Sequence, residues 1–247
     1  MVEVLSPGCP FPAKIELCVW EALDPDCPSD YHVHTSHTDG AAGVKEMARA
    51  AVSRRMVKIL FSEHVRHQSE YFSSFFSEVR ALRLSELNAY VGVETKILDF
   101  EGSLDCSPQI ASFCDSIIGS VHSLPRDGEK KASQWSQLNV ENAVQIEFQL
   151  ALAIVKRSKA HILGHPMGMV IKNFNINPTE ELYKLACACS ENDKAFEINA
   201  HYCLDPSSLI DIVKKSHCKV SLGSDAHATS QIGDAWYRFT SRRLQIS

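Results

Sequence analysis

The chain has 247 residues, 45% of them hydrophobic and 22% charged, with a formal net charge of -5. That size makes one large domain burying roughly 70–75% of its unfolded surface, with the composition of an ordinary globular protein. The acidic sign argues against a protein that coats nucleic acid through a basic face, and no apolar run approaches the ~20 residues of a membrane span.

Basic residues fall in small separate groups: Arg54, Arg55 and Lys58; Arg126, Lys130 and Lys131; Lys214 and Lys215; Arg242 and Arg243. Each reads as a solvated face. Nine cysteines, an odd number at irregular spacing, do not make a secreted disulfide framework and read as small apolar residues in a reducing compartment. The opening "MVEVLSPGCPFP" is not a secretory signal, so the expected location is the cytoplasm.

In chain order, residues 1–29 read as an irregular N-terminal extension punctuated by Pro7, Pro10, Pro12, Pro25 and Pro28, with a short apolar piece "IELCVW", that either packs on the main domain or is a remnant of a larger architecture. From Asp30 short apolar strands follow in sequence: "DYHVH", "VKILFSEH", "AYVGVE", "DSIIGSVH", "AHILGHP", "AFEINA" and "KVSLGSDAH". Between most of them lie helical patterns: "GVKEMARAAVSRRM", "SEYFSSFFSEVRALRLSELN", "NVENAVQIEFQLALAIVKRS", "PTEELYKLACACSEN" and "DPSSLIDIVKKS". Asp205 is the expected cap of the last, with Pro206 at its first position. "ETKILDFEGSLD" reads as an extra pair of short strands joined at Gly102. In "YFSSFF" the spacing of Tyr71, Phe72, Phe75 and Phe76 suits a buried helix face better than a base-stacking platform. Cys187 and Cys189, two apart on a helix, point to different sides and do not read as a metal pair.

Strands alternating with helices predict βα units and a parallel α/β sheet, open or closed into a barrel. Every expected strand ends in a residue that binds metal or moves protons. In order these are His32 and His34, Glu63 and His64, Glu94, His122, His165, Glu197 and Asn199, then Asp225 and His227. In a closed parallel barrel these ends meet at one face, where active sites lie. Imidazole and carboxylate without thiolate suit zinc, manganese or iron, and so many candidates exceed the needs of one ion.

"HVH" followed by Asp39, then "SEH", "GVE", "GSVH", "GHP", "EIN" and "GSDAH", resembles the PHP (polymerase and histidinol phosphatase) family of phosphoesterases over about residues 30–233. The likeness is greatest to the PHP domain of bacterial family X DNA polymerases and its stand-alone relatives. It implies a distorted (β/α)7 TIM-like barrel spanning residues 30–247 as a single domain, with three divalent transition-metal ions. By the resemblance, His32, His34, Glu94 and Asp225 hold the first ion, and Asp39, His64 and His227 a second. His122 and His165 hold a third with the other oxygen of Glu94. Glu94, Asp225 and His227 are then the catalytic centre, where a metal-bridged hydroxide attacks phosphate.

Around that centre Arg66, Arg126, His37 and His201 are candidate substrate-binding residues on loops, with His67 beside them; His161 and His217 precede strands and belong to the opposite face. The expected function is hydrolysis of a small phosphomonoester. The alternatives are a 3′-5′ exonuclease trimming nucleic-acid ends and a non-catalytic metal-binding accessory domain. The expected partner is therefore a small phosphorylated substrate, with no membrane and with nucleic acid not favoured.

Overall fold

The computed structural model describes residues 15–125 and 134–240. Its strands are β1 (Cys18–Val19), β2 (Ser29–Val33), β3 (Lys58–Val65), β4 (Asn88–Lys96), β5 (Ser116–Ser120), β6 (Ile162–Leu163), β7 (Ala195–Asn199) and β8 (Lys219–Gly223). Its helices are α1 (Val44–Ser53), α2 (Phe72–Arg80), α3 (Pro108–Phe113), α4 (Val140–Arg157), α5 (Gly168–Phe174), α6 (Thr179–Glu191), α7 (Pro206–Ser216) and α8 (Asp234–Thr240). All seven strands expected from the sequence are present, as β2 to β8.

These seven pair in parallel in chain order, and β1 adds antiparallel to the outer edge of β8. The two ends of the parallel run meet through one bridge between Val33 and Ala226. There His34 N–H donates to the Ala226 carbonyl at 2.9 Å, and Ala226 N–H donates to the His32 carbonyl at 3.2 Å. The result is an incompletely closed TIM-like barrel, drawn together at the C-terminal ends of β2 and β8. At the opposite end β8 takes β1 as its partner, with Cys18 opposite Val220.

Two apolar layers follow from the strand period of two. Outward-facing residues such as Phe61, Val91, Val93 and Phe196 pack against the helices. Inward-facing Tyr31, Leu60, Ile118, Ile162 and Ala195 fill the barrel floor, where Ile15 joins them. Ile59, Leu60 and Phe61 are each 0% exposed, as expected of a strand buried on both faces. The floor is thus closed partly by the segment read from sequence as an irregular extension.

Phe72, Phe75, Phe76 and Val79 are all buried, so the aromatic stripe of α2 belongs to the core. Asp205 caps α7 through the Ser207 and Ser208 N–H groups, with Pro206 at the first position. The second helical pattern is shorter than its sequence span, because Leu82, Leu84 and Leu87 drop out of helical spacing and pack as an irregular segment. The expected strand pair after "VGVE" is reduced to one bridge, Ile97 with Leu104, beyond a longer β4. Its turn needs Gly102, with φ +87°, where a Cβ would lie 2.7 Å from Arg157 Cβ. α3, α5 and α8 have six or seven residues each, too few to show a period in sequence. Arg126, Lys130, Lys131, Arg242 and Arg243 lie outside the described residues.

The floor predicts that Ile15→Ala costs about 1–3 kcal/mol in urea unfolding. Leu98→Ala, at a residue 42% exposed, should change stability by less than about 0.5 kcal/mol.

Candidate metal centre

The site begins at a register shift in β2 between Asp30 and Val33. Strict alternation would send Tyr31 and His32 to opposite faces. The irregularity lets Tyr31 fill the floor while His32 and His34, both 0% exposed, join the polar cluster above it. Asp30, also buried, fixes this turn: its carboxylate accepts Ser224 N–H at 3.0 Å and Gly233 N–H at 2.7 Å, and the Ser224 hydroxyl also donates to it.

Glu94, 2% exposed at the inner face of β4, is the centre. Its Oε1 lies 3.0 Å from His122 Nε2 and 2.9 Å from His165 Nε2. Its Oε2 lies 2.9 Å from His64 Nδ1, 3.5 Å from His32 Nε2 and 3.7 Å from His34 Nε2. Asp225 Oδ1 stands 3.2 Å from His34 Nε2 and 3.7 Å from His32 Nε2. Asp39 Oδ2 faces His64 Nε2 at 3.2 Å and His227 Nε2 at 3.4 Å. All nine residues expected as ligands therefore converge in one contiguous cluster. Within it, His34, Asp39, His64 and His227 form one group close enough to share an ion; His32, His34 and Glu94 form another; His64, Glu94 and His122 a third.

The donor set fits metal ions better than it fits itself. His32 Nε2 and His34 Nδ1 are buried without a hydrogen-bond partner. A buried polar atom left so costs about 1–3 kcal/mol, which coordination would relieve. Burial lowers the His34 pKa to about 4, so that ring is neutral and ready to ligate. Burial works against ionisation of Glu94, but His122 and His32 outweigh it and hold the carboxyl well below its ordinary range. Asp225 is likewise held down against burial, chiefly by His32 and by its bond with His34.

A supporting layer orients these groups. Glu197 accepts from His32 Nδ1 at 2.6 Å and from the His165 backbone N–H. It is placed as an outer carboxylate that would fix His32 as a metal-binding imidazole. Its position requires Gly223, where a Cβ would collide with the Glu197 carboxylate. Glu63 accepts Thr35 N–H at 2.6 Å and the Thr38 hydroxyl, shaping the loop that carries Asp39. The Tyr71 hydroxyl donates to the His64 carbonyl, and Trp135 Nε1–H donates to the His122 carbonyl at 3.2 Å. His165 (φ 26°) and Asp225 (φ 54°) have left-handed backbones, which sets the direction in which their side chains enter the site. Sequence reading placed Glu63 and Glu197 at strand ends without giving them a role; Trp135 and Tyr71 left no signal, since their bonds run to backbone carbonyls.

A family model for the PHP domain matches residues 30–201. The chain belongs to the PHP domain family. It is accordingly a metal-dependent hydrolase of phosphate esters. A Caldicellulosiruptor bescii protein described as "Probable phosphatase" is 24% identical over 215 residues, covering 82% of this chain and 80% of that one. The Bacillus subtilis DNA polymerase/3'-5' exonuclease PolX is 24% identical over 219 residues, 83% of this chain but 35% of the polymerase. This chain thus spans about a third of that relative. Among solved structures, histidinol phosphate phosphatase from Lactococcus lactis, complexed with zinc, L-histidinol and phosphate, superposes with a TM-score of 0.63 at 20% identity. The superposition covers 87% of this chain and 93% of that one. The hisK structure from Listeria monocytogenes gives a TM-score of 0.69 at 16% identity, over 85% and 99% of the two chains.

The expected substrate-binding residues of this PHP domain are dispersed. His37 turns to α2, with Nε2 3.3 Å from Glu78 Oε1 and its ring against Tyr71 and Phe75. Arg66 is exposed on the loop after β3, its backbone N–H bonded to Ser69 Oγ. His67 beside it is exposed, its N–H donating to Asp105. His201 is exposed just past β7. Arg126 lies outside the described residues. His161 precedes β6, its Nδ1 accepting Ile117 N–H at 3.0 Å, and His217 ends α7 before β8.

Glu147 on α4 accepts Met169 and Val170 N–H at 2.9 and 2.7 Å, seating α5 just past His165. Burial pushes its pKa up to about 7 from an ordinary 4.5, against the pull of those two N–H groups. A raised native pKa gives stability that is complete below about 4.5 and lost as pH rises through about 7. The melting temperature should therefore fall between pH 5 and 8, and Glu147→Gln should flatten that slope in thermal scans. Glu197→Gln should weaken metal binding about 10–100-fold in equilibrium dialysis while the fold persists by circular dichroism.

Proposed function

We propose that this PHP hydrolase is a phosphomonoesterase for a small phosphorylated metabolite and that it works with three divalent transition-metal ions. The observation that carries the proposal is the division of Glu94: Oε1 faces His122 and His165, Oε2 faces His64, His32 and His34. One carboxylate placed between two sets of imidazoles suits a bridging role. In this reading His32, His34, Glu94 and Asp225 hold the first ion, Asp39, His64 and His227 the second, and His122, His165 and Glu94 the third. The zinc in the Lactococcus lactis neighbour supports zinc as one of the metals, with manganese and iron matching the same donor types.

When bound, such ions neutralise phosphate oxygens and make a water nucleophilic near neutral pH. The protein's part is positioning. Glu197 and Glu63 hold the rings and the Asp39 loop, while Asp225 and His227, just past β8, would supply charge and metal donors beside the reacting phosphate. The exposed edge of the cluster, where Asp39, His64 and His227 are partly open, is the face that admits substrate. Arg66 and His201, exposed on the loops after β3 and β7, are the candidates to meet the rest of it.

The histidinol and phosphate of the Lactococcus lactis complex favour a short substrate with one terminal phosphate. Similarity to a polymerase-associated exonuclease keeps nucleic-acid ends as the second reading. Against it stand the net charge of -5 and the burial of the α2 aromatics, which leaves no stacking platform there. Among the described residues no helix is long and apolar enough to cross a membrane, and the eight described cysteines are free, which fits a reducing cytoplasm.

Purified protein should carry more than one equivalent of transition metal, and strong chelation should abolish hydrolysis of an aryl phosphate. Metal-free protein with full activity would refute the reading. Glu94→Gln should lose both metal and about 100-fold or more in rate, since it touches both halves of the cluster. Rates on a phosphomonoester panel should exceed those on a labelled oligonucleotide and depend weakly on salt. Faster oligonucleotide cleavage, falling steeply as salt rises, would select the exonuclease reading.

A further inference from the structure

His165 presents Nε2 to the cluster, 2.9 Å from Glu94 Oε1 and 3.1 Å from His122 Nε2. A ring that ligates through Nε2 carries its proton on Nδ1, and that N–H needs an acceptor. For His32 the outer nitrogen meets Glu197; for His227 it meets the Asp225 carbonyl. His165 Nδ1 is buried with no hydrogen-bond partner among the described residues.

Asn199 is in the same position. It is 3% exposed, and its Nδ2 is buried without a partner. Its Oδ1 accepts His201 N–H at 2.8 Å. A backbone N–H can only donate, so the amide orientation is fixed and Nδ2 is the donor left over. Asn199 stands two residues after Glu197 on β7, so both face the barrel interior.

His165, Glu197 and Asn199 border one cleft, whose other walls include Ile171, Leu182 and Phe196. The cleft has room for water beside these groups. Two buried donors and one carboxylate around such a space describe a water site.

We infer that an ordered water in this cleft accepts from His165 Nδ1 and Asn199 Nδ2, and that Asn199 is through it a positioning residue for His165. The water's own hydrogens can reach the Glu197 carboxylate, whose lone pairs exceed the two bonds it already accepts. β7 then supplies outer-layer acceptors to rings on both sides of Glu94: directly to His32, and by way of water to His165.

The inference rests on the proposed metal cluster, and two substitutions separate the two ideas. Asn199→Leu replaces the amide with an apolar group of nearly the same shape and removes the donor; Asn199→Asp keeps a polar partner for the water and an acceptor for His201 N–H. Asn199→Leu should weaken one metal ion by about 10–100-fold in equilibrium dialysis, with Asn199→Asp closer to the unsubstituted protein and both folded by circular dichroism. A high-resolution crystal structure of the unsubstituted protein should show the water within hydrogen-bond distance of both donors. A dry cleft, or equal metal affinity in the two variants, would overturn the inference. Fewer than three ions on the unsubstituted protein would count against the cluster instead, and the crystal structure would still decide the water.

Discussion

Everything in this protein is arranged around one buried carboxylate. Glu94 has almost no contact with solvent, yet each of its oxygens stands within 3 Å of at least one imidazole nitrogen. Placing a charge at the top of a closed core is costly unless opposite charge or metal surrounds it. The fold meets that requirement by bringing seven strand ends together, each contributing to the ring of donors or to its support.

That requirement explains several local departures from regularity. The register shift in β2 turns His32 and His34 inward above Tyr31. Gly223 is small because the Glu197 carboxylate occupies the space a side chain would take. His165 and Asp225 adopt left-handed backbones in the loops where the chain leaves the barrel. These backbones are held in place by surrounding bonds, of which those from Asp30 to Ser224 and Gly233 are the plainest.

The alternation of strands and helices and the polar strand ends were legible in sequence because both follow fixed periods and positions. His64, Glu94 and His122 could be placed at strand C-termini from the apolar runs before them. The outer residues were not legible in the same way. His37 sits in the same histidine-rich stretch as His34, but the loop turns it toward Glu78, a contact made across 41 residues that no local pattern signals. Trp135 holds His122 through a backbone carbonyl, which any residue could offer. Proline obscures the period of the N-terminal segment, so its packing on the main domain was legible only as one of two alternatives, and the places of Ile15 in the barrel floor and β1 in the sheet were not.

The central claim is that Glu94 bridges metal ions held on both of its sides. Anomalous diffraction from crystals of the metal-loaded protein, collected across the zinc, manganese and iron edges, tests it most directly. The account predicts separate peaks on the His32–His34 side and on the His122–His165 side, each within coordination distance of a different Glu94 oxygen. Density for a single ion, or for ions that leave one Glu94 oxygen uncoordinated, would contradict it.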